Sequence, residues 1–133
     1  TRDGAGMRAL LNAGIEIAII TGRSSRIVSD RMKSLGVKHL VQGADEKLPH
    51  FEALLTTLGL DASQAAYMGD DTIDLPVMQA CGLGIAVADA HPLVRARADM
   101  VTRLGGGVGA VREVCDLILQ AQGLGDYPPE VSR

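Results

Sequence analysis

The sequence predicts an α/β fold, a Rossmann-like parallel sheet with helices on both faces. Three observations lead there. Short β-branched and aliphatic runs alternate with amphipathic stretches almost from end to end. The links between them are short, as in strand–helix–strand crossovers that lay successive strands parallel. Polar clusters fall directly after the apolar runs: Thr21-Gly22-Arg23 after the first, Gly43 to Lys47 after the second, Gly69-Asp70-Asp71 after the third. Ligands of open α/β sheets bind beyond the carboxyl ends of the strands, so this placement marks one candidate cleft.

Each element has its own local reason. Residues 4–13 predict a helix with Met7, Leu10 and Leu11 inward and Gly14 as its stop. Residues 15–20, Ile-Glu-Ile-Ala-Ile-Ile, fit a strand buried on both faces. Ser24 is placed to cap a helix over 25–35 with Ile27, Val28, Met32 and Leu35 inward, ended by Gly36. A second strand follows at 38–42. Residues 47–58 predict a helix carrying Leu48, Phe51, Leu54, Leu55 and Leu58 on one face, with Pro49 tolerated in its first turn. A third strand, 65–69, runs into the acidic turn at 70–74 and a helix over about 73–81. A fourth strand at 83–88, a short helix at 91–97 with Asp89 as its cap, and a fifth strand at 99–102 follow. The last helix, about 108–121, has Val108, Val111, Val114, Cys115 and Ile118 at inward spacing. Residues 123–133 form a Gly- and Pro-containing tail, expected to be flexible.

A chain of 133 residues suits a single domain over 1–133. Its apolar content of 47% supports a packed core. The aromatics are only Phe51, Tyr67 and Tyr127, too few for a base-stacking platform. The net charge of −3 argues against binding the phosphate backbone of nucleic acid. No apolar run reaches the length of a membrane span and no secretory leader is visible, so a cytoplasmic location is expected. Cys81 and Cys115 lack metal-type spacing and read as reduced core residues.

The chemistry concentrates in Gly69-Asp70-Asp71-Thr72-Ile73-Asp74. Three carboxylates so close repel one another unless a cation or a Lys neutralises them. Helix capping accounts for one Asp at a helix start, not three. Oxygen ligands of this kind suit Mg²⁺, so Asp70, Asp71 and Asp74 are the candidate metal-site residues. Thr21-Gly22-Arg23-Ser24 joins a strand to a helix start, where hydroxyl and amide groups hold a phosphate oxygen as readily as they cap a helix. Lys47 alone would read as a surface charge, but the fold aims it at the same cleft. His91 has no second His or Cys at ligand spacing, and a zinc role is not expected. The glycines at 105, 106, 107 and 109 do not form a dinucleotide fingerprint and read as a flexible lead-in to the last helix.

These residues resemble a family. Ile19-Ile20-Thr21-Gly22-Arg23, the isolated Lys47 and Gly69-Asp70-Asp71-x-x-Asp74 look like the second, third and fourth motifs of the haloacid dehalogenase superfamily. Longer strings narrow the match: Arg2-Asp3-Gly4-x-Gly6, Asp74-x-Pro76-Val77-Met78, residues 87–92, Arg97-Ala98-Asp99-x-Val101-Thr102 and residues 109–117. They are similar to the capless 3-deoxy-D-manno-octulosonate 8-phosphate phosphatases, over residues 2 to about 122. The resemblance implies a haloacid dehalogenase-like fold without a cap domain. It also implies a Mg²⁺-dependent phosphomonoesterase of lipopolysaccharide biosynthesis, releasing Kdo and phosphate from a phosphorylated sugar acid. By the same resemblance Asp70 ligates the metal directly, and Asp71 and Asp74 support it and its waters. Thr21 and Gly22 hold phosphoryl oxygens, Lys47 neutralises phosphate and nucleophile, and Arg2 faces the sugar end of the substrate. Homotetramers, in which neighbouring chains supply the lid, are implied as well. Alternatives are a nonulosonate 9-phosphate phosphatase and a non-catalytic oligomerisation domain of the same fold.

The family's nucleophile motif, Asp-x-Asp after a first strand, does not occur in the 133 residues. In the family an Asp nucleophile attacks phosphorus and a second Asp serves the leaving alcohol and then water. That strand lies between those ending here at Thr21 and Asp70, so without it a slot with unpaired ladder groups is expected. The chain opens Thr1-Arg2-Asp3-Gly4 without an initiator Met. The expectation is that the nucleophile strand belongs to an upstream segment and that the 133 residues alone are inactive.

Overall fold

The structure is a computed structural model that describes residues 2–123; the expected tail beyond Gly123 lies outside the described residues. Helix α1 (Arg2–Asn12) leads into strand β1 (Ala18–Ile20), helix α2 (Arg26–Leu35) and strand β2 (His39–Val41). Helix α3 (Leu48–Leu58), strand β3 (Ala66–Gly69), helix α4 (Leu75–Ala80) and strand β4 (Leu83–Ala86) follow. Helix α5 (Pro92–Arg97), strand β5 (Met100–Val101) and helix α6 (Ala110–Ala121) complete the order. Short 3-10 turns at Ala62–Gln64 and Thr72–Asp74 precede β3 and α4.

Every strand pairing is parallel, as the alternation predicts. β1 pairs with β2, with Ile19 opposite Leu40. β4 lies between β3 and β5, with Ile85 opposite both Met68 and Met100. No ladder joins the two sheets, so β1 and β3 each keep one edge without a strand partner among the described residues. What holds the halves together is side-chain packing. Ile20 of β1, Phe51 of α3 and Val77 of α4 form one buried cluster that also takes in Tyr67 of β3.

Helices cover both faces because successive strand residues point to opposite sides. Ile19 and Leu40 pack with Met7 and Leu10 of α1, Met32 of α2, and Cys115 and Leu119 of α6. Ile20 and Val41 pack toward α3 and α4 on the other side. A third cluster joins Ala86 and Val87 to Leu75, Met78, Val94 and Ala110, so α6 bridges the sheets by packing its start on one and its middle on the other. Only β4 is buried along most of its length; β1, β2 and β3 are partly open. The expectation of a strand buried on both faces, made for residues 15–20, fails there, since in β1 only Ile20 is buried and Ala18 is exposed; β4, with a neighbour on each side, is the strand that is buried.

Several local expectations need correction. The cap of α2 is Ser25, not Ser24: its side chain accepts from Val28 N–H while its own N–H is held by Gln42 Oε1. Ile27 is 81% exposed and Val28 is also exposed, so α2 buries chiefly Met32. The helix begins at Arg26, one residue later than expected. Val108 is 64% exposed because it precedes α6, which starts at Ala110. Helix α5 is capped by His91, whose Nδ1 accepts from Leu93 N–H at 3.0 Å. Asp89 instead accepts from Gly106 N–H at 2.9 Å, across the fold.

Candidate active site

The loops after β1 and β2 are stitched together by backbone. Thr21 N–H donates to the Val41 carbonyl at 2.9 Å, and Ala44 N–H donates to the Thr21 carbonyl at 3.0 Å. Gly43 N–H donates to the Arg23 carbonyl, and Thr21 Oγ1 accepts from Arg23 N–H at 3.2 Å. A Cβ at Gly22 would lie 3.3 Å from the Ala44 carbonyl oxygen, so the two turns are in close contact. This fixes the Thr21 hydroxyl and the Gly22 backbone at the end of β1, the place where an anion-binding turn would stand.

Lys47 stands at the start of α3 and reaches across to the acidic turn after β3. Its ammonium donates to Asp74 Oδ1 at 2.7 Å, and both side chains are largely withdrawn from solvent. Asp74 is 2% exposed and fully engaged. Tyr67 Oη donates to Oδ1 at 2.8 Å, while the N–H groups of Asp70 and Asp71 donate to Oδ2 at 3.0 and 3.2 Å. Burial pushes the Asp74 carboxyl up, but the Lys47 ammonium and these donors outweigh it and hold it below the usual carboxylate range. Tyr67 is driven the other way, by burial and by the Asp74 charge, and stays a neutral donor. Gly69 makes this geometry possible: a Cβ there would sit 2.5 Å from Asp74 Cβ.

Asp70 and Asp71 are exposed, and Asp71 Oδ1 accepts from Thr72 N–H at 2.7 Å. Partial desolvation on its protein side pushes the Asp70 carboxyl above the ordinary range, followed by the neighbouring Asp74, with Lys47 opposing. Both carboxylates line an open cleft of about 530 Å³ beyond the carboxyl ends of β3 and β4. Val87, Asp89 and His91 form its second side, and Gly106 and Gly107 its third.

The structure therefore gathers Lys47, Asp70, Asp71 and Asp74 around one turn. Asp70 and Asp71 face the cleft, whereas Asp74 is saturated by protein donors and holds Lys47 and the turn backbone in place. Among the described residues no group of three or more His, Cys, Asp or Glu is arranged to hold a metal ion, so the turn offers two cleft carboxylates. Thr21 and Gly22 stand at the end of β1 and Arg2 on α1, and none of the three lines the cleft; the Arg2 guanidinium is 3.9 Å from where a Gly109 Cβ would be. Sequence reasoning missed Tyr67, whose signal was its position two residues before the Gly-Asp-Asp turn. It also missed that Asp89, His91 and the glycines at 106 and 107 line the cleft.

A parallel sheet with a Thr-Gly turn, a Lys and a Gly-Asp-Asp turn at its carboxyl ends defines a class. The chain belongs to the haloacid dehalogenase-like hydrolase family, whose model matches residues 40–105. Its relatives include 3-deoxy-D-manno-octulosonate 8-phosphate phosphatases. That of Escherichia coli is 57% identical over 122 residues, covering 92% of this chain and 65% of the relative. The chain thus spans just under two thirds of the length of such curated relatives. The structure of the putative 3-deoxy-D-manno-octulosonate 8-phosphate phosphatase of Vibrio cholerae is 54% identical, with a TM-score of 0.92 over 96% of this chain and 72% of that one. That of the Moraxella catarrhalis phosphatase, in complex with magnesium, phosphate and Kdo, is 48% identical, with a TM-score of 0.89 over 92% of this chain and 70% of that one.

Proposed function

We propose that this chain is the phosphate- and metal-handling part of a Mg²⁺-dependent phosphomonoesterase that releases Kdo and phosphate from 3-deoxy-D-manno-octulosonate 8-phosphate. The observation that carries the reading is the 2.7 Å contact between Lys47 and Asp74. It joins the turn after β2 to the turn after β3 across the line where the sheets do not pair. A merely structural domain has no need to bury a charged pair there, since an apolar pair of similar volume is often as stable.

The cleft carboxylates fit a divalent cation. Asp70 is held above its ordinary range by burial and like charge, and a bound cation would relieve that. In this reading Asp70 is the direct ligand, Asp71 holds metal-bound water, and Asp74 supports both through the turn backbone. When bound, Mg²⁺ neutralises charge on the phosphoryl oxygens. Thr21 and Gly22 orient the phosphoryl group through hydroxyl and N–H donors. Lys47, fixed by Asp74, presents its remaining donors to phosphate and nucleophile. Arg2, beside Gly109, meets the carboxylate end of the sugar acid.

The reading puts an Asp-x-Asp pair on a strand between β1 and β3. The unpartnered edges of those strands support it, because ladder groups left without partners are costly unless solvated or paired. Homotetramer formation and a cytoplasmic location belong to the same reading. Exposed Ile27 and Val108 offer apolar surface for assembly, and among the described residues no helix is long and apolar enough to cross a membrane. The test is phosphate release by the full-length protein over a set of sugar-acid phosphates. Preference for the eight-carbon substrate and complete loss of Mg²⁺-dependent release in Asp70→Ala are expected. Preference for a nonulosonate 9-phosphate would replace the substrate, and Asp70→Ala with undiminished Mg²⁺ dependence would overturn the site.

A further inference from the structure

Gly106 and Gly107 line the same cleft as Asp70 and Asp71, and the form of their segment is set by side chains that the phosphate chemistry does not use. Asp89 accepts from Gly106 N–H at 2.9 Å. Glu113 of α6 accepts from both Arg103 and Leu104 N–H groups, at 2.9 and 3.0 Å. Thr102, only 3% exposed, accepts from Ala88 N–H at 3.1 Å and donates to the Leu104 carbonyl at 2.6 Å. Residues 102–106 are thus tied to the loop after β4 and to α6, by bonds of Thr102, Arg103, Leu104 and Gly106.

The glycines in this segment differ in what a side chain would meet. At Gly105 a Cβ would press on the Asp89 carboxylate at 3.2 Å. At Gly107 it would meet nothing within 4 Å. At Gly106 it would rest at ordinary contact distance on Val87, 3.7 Å, and on Asp89, 3.8 Å. Both of those line the cleft, so position 106 can carry a methyl group without strain, and that methyl would occupy cleft space. A glycine that neither backbone conformation nor crowding demands leaves the space for something else.

We infer that Gly106 is a specificity-determining position: its bare backbone, held by Asp89, leaves the space over Val87 for the organic part of a bulky phosphomonoester. The inference rests on the phosphatase reading, because it takes Asp70 and Asp71 as the phosphoryl end of the cleft. Asp89 is a positioning residue in it.

The test compares kcat/KM of full-length Gly106→Ala and Gly106→Val with wild type on two phosphomonoesters, an eight-carbon sugar-acid phosphate and two-carbon phosphoglycolate. One or two misplaced methyl groups in a fitted pocket change kcat/KM by roughly 10- to 200-fold. The expected result is a loss of about tenfold or more on the large substrate, mainly in KM and greater for Val, with phosphoglycolate within about twofold. Equal losses on both substrates, or none on the large one, would overturn the size role. Wild type releasing phosphate from neither would instead overturn the phosphatase reading and this inference with it. Gly106→Ala keeps the comparison open should Gly106→Val fail to fold.

Discussion

Asp74 shows how much one residue can organise without touching the cleft. Its carboxylate accepts from an ammonium, a phenol and two backbone N–H groups, and it is nearly inaccessible. Asp74→Asn would keep the shape but leave the Lys47 ammonium withdrawn from solvent without its counter-charge, and put an amide where two N–H groups donate. Breaking a buried pair from one side costs about 3 kcal/mol or more, which urea denaturation at neutral pH would read. The pH dependence has a definite sign. The Asp74 carboxyl lies below its ordinary range when folded, so its stabilisation is fully present above about pH 4 and is lost as pH falls further. The stability gap between wild type and Asp74→Asn should therefore shrink below pH 4. A gap constant down to pH 2 would contradict the ion pair. The Cys115 thiol, pushed up to about 12 by burial, stays protonated throughout this range.

Among the elements, α1 and α6 make the closest helix pair, and a glycine decides their spacing. At Gly6 a Cβ would lie 2.8 Å from Arg112 Cδ, 3.1 Å from Cys115 Cβ and 3.2 Å from Arg112 Cα. Across the same contact Arg112 N–H donates to Asp3 Oδ1 at 3.1 Å. Gly6→Ala sets a gain in helix propensity of about 1 kcal/mol against overpacking of about 1–3 kcal/mol. The contact includes backbone as well as flexible side chain, so overpacking wins. Gly6→Val, with more bulk and less propensity, should be clearly worse. Thermal denaturation should rank wild type above Gly6→Ala above Gly6→Val; a more stable Gly6→Ala would show that α1 can ride outward freely.

At the scale of the molecule the division of the sheet matters most. Two parallel pieces are joined by one apolar cluster, by α6 and by one charged bridge, but among the described residues by no ladder. Amides on the unpartnered edges of β1 and β3 should exchange with solvent faster in the 133-residue chain than those of β4, which has neighbours on both sides. The same chain should show no Mg²⁺-dependent phosphate release, because it contains no Asp-x-Asp. Release above background would refute the assignment of the nucleophile to that motif. Slow exchange along both edges would show that the two sheets close on each other in solution.

The sequence by itself determined the α/β class, the order of elements and the turns that carry the candidate site. These follow from local patterns: aliphatic runs, helix stops such as Gly14 and Gly36, and polar residues just beyond each strand. It also singled out Thr21, Lys47 and Asp70, through their places just beyond the strands and the resemblance of their motifs to a family's. Only the tertiary structure showed which carboxylates face the cleft and which is enclosed. Asp70 and Asp74 have the same side chain four positions apart, yet one faces the cleft and the other is closed in by Lys47 and Tyr67. The same holds for Asp89, which as sequence is a plausible cap and in the fold anchors Gly106. Capping and anchoring demand the same residue types, so composition cannot separate them. The partner can, and partners 17 or 27 residues away come together only when the strands align.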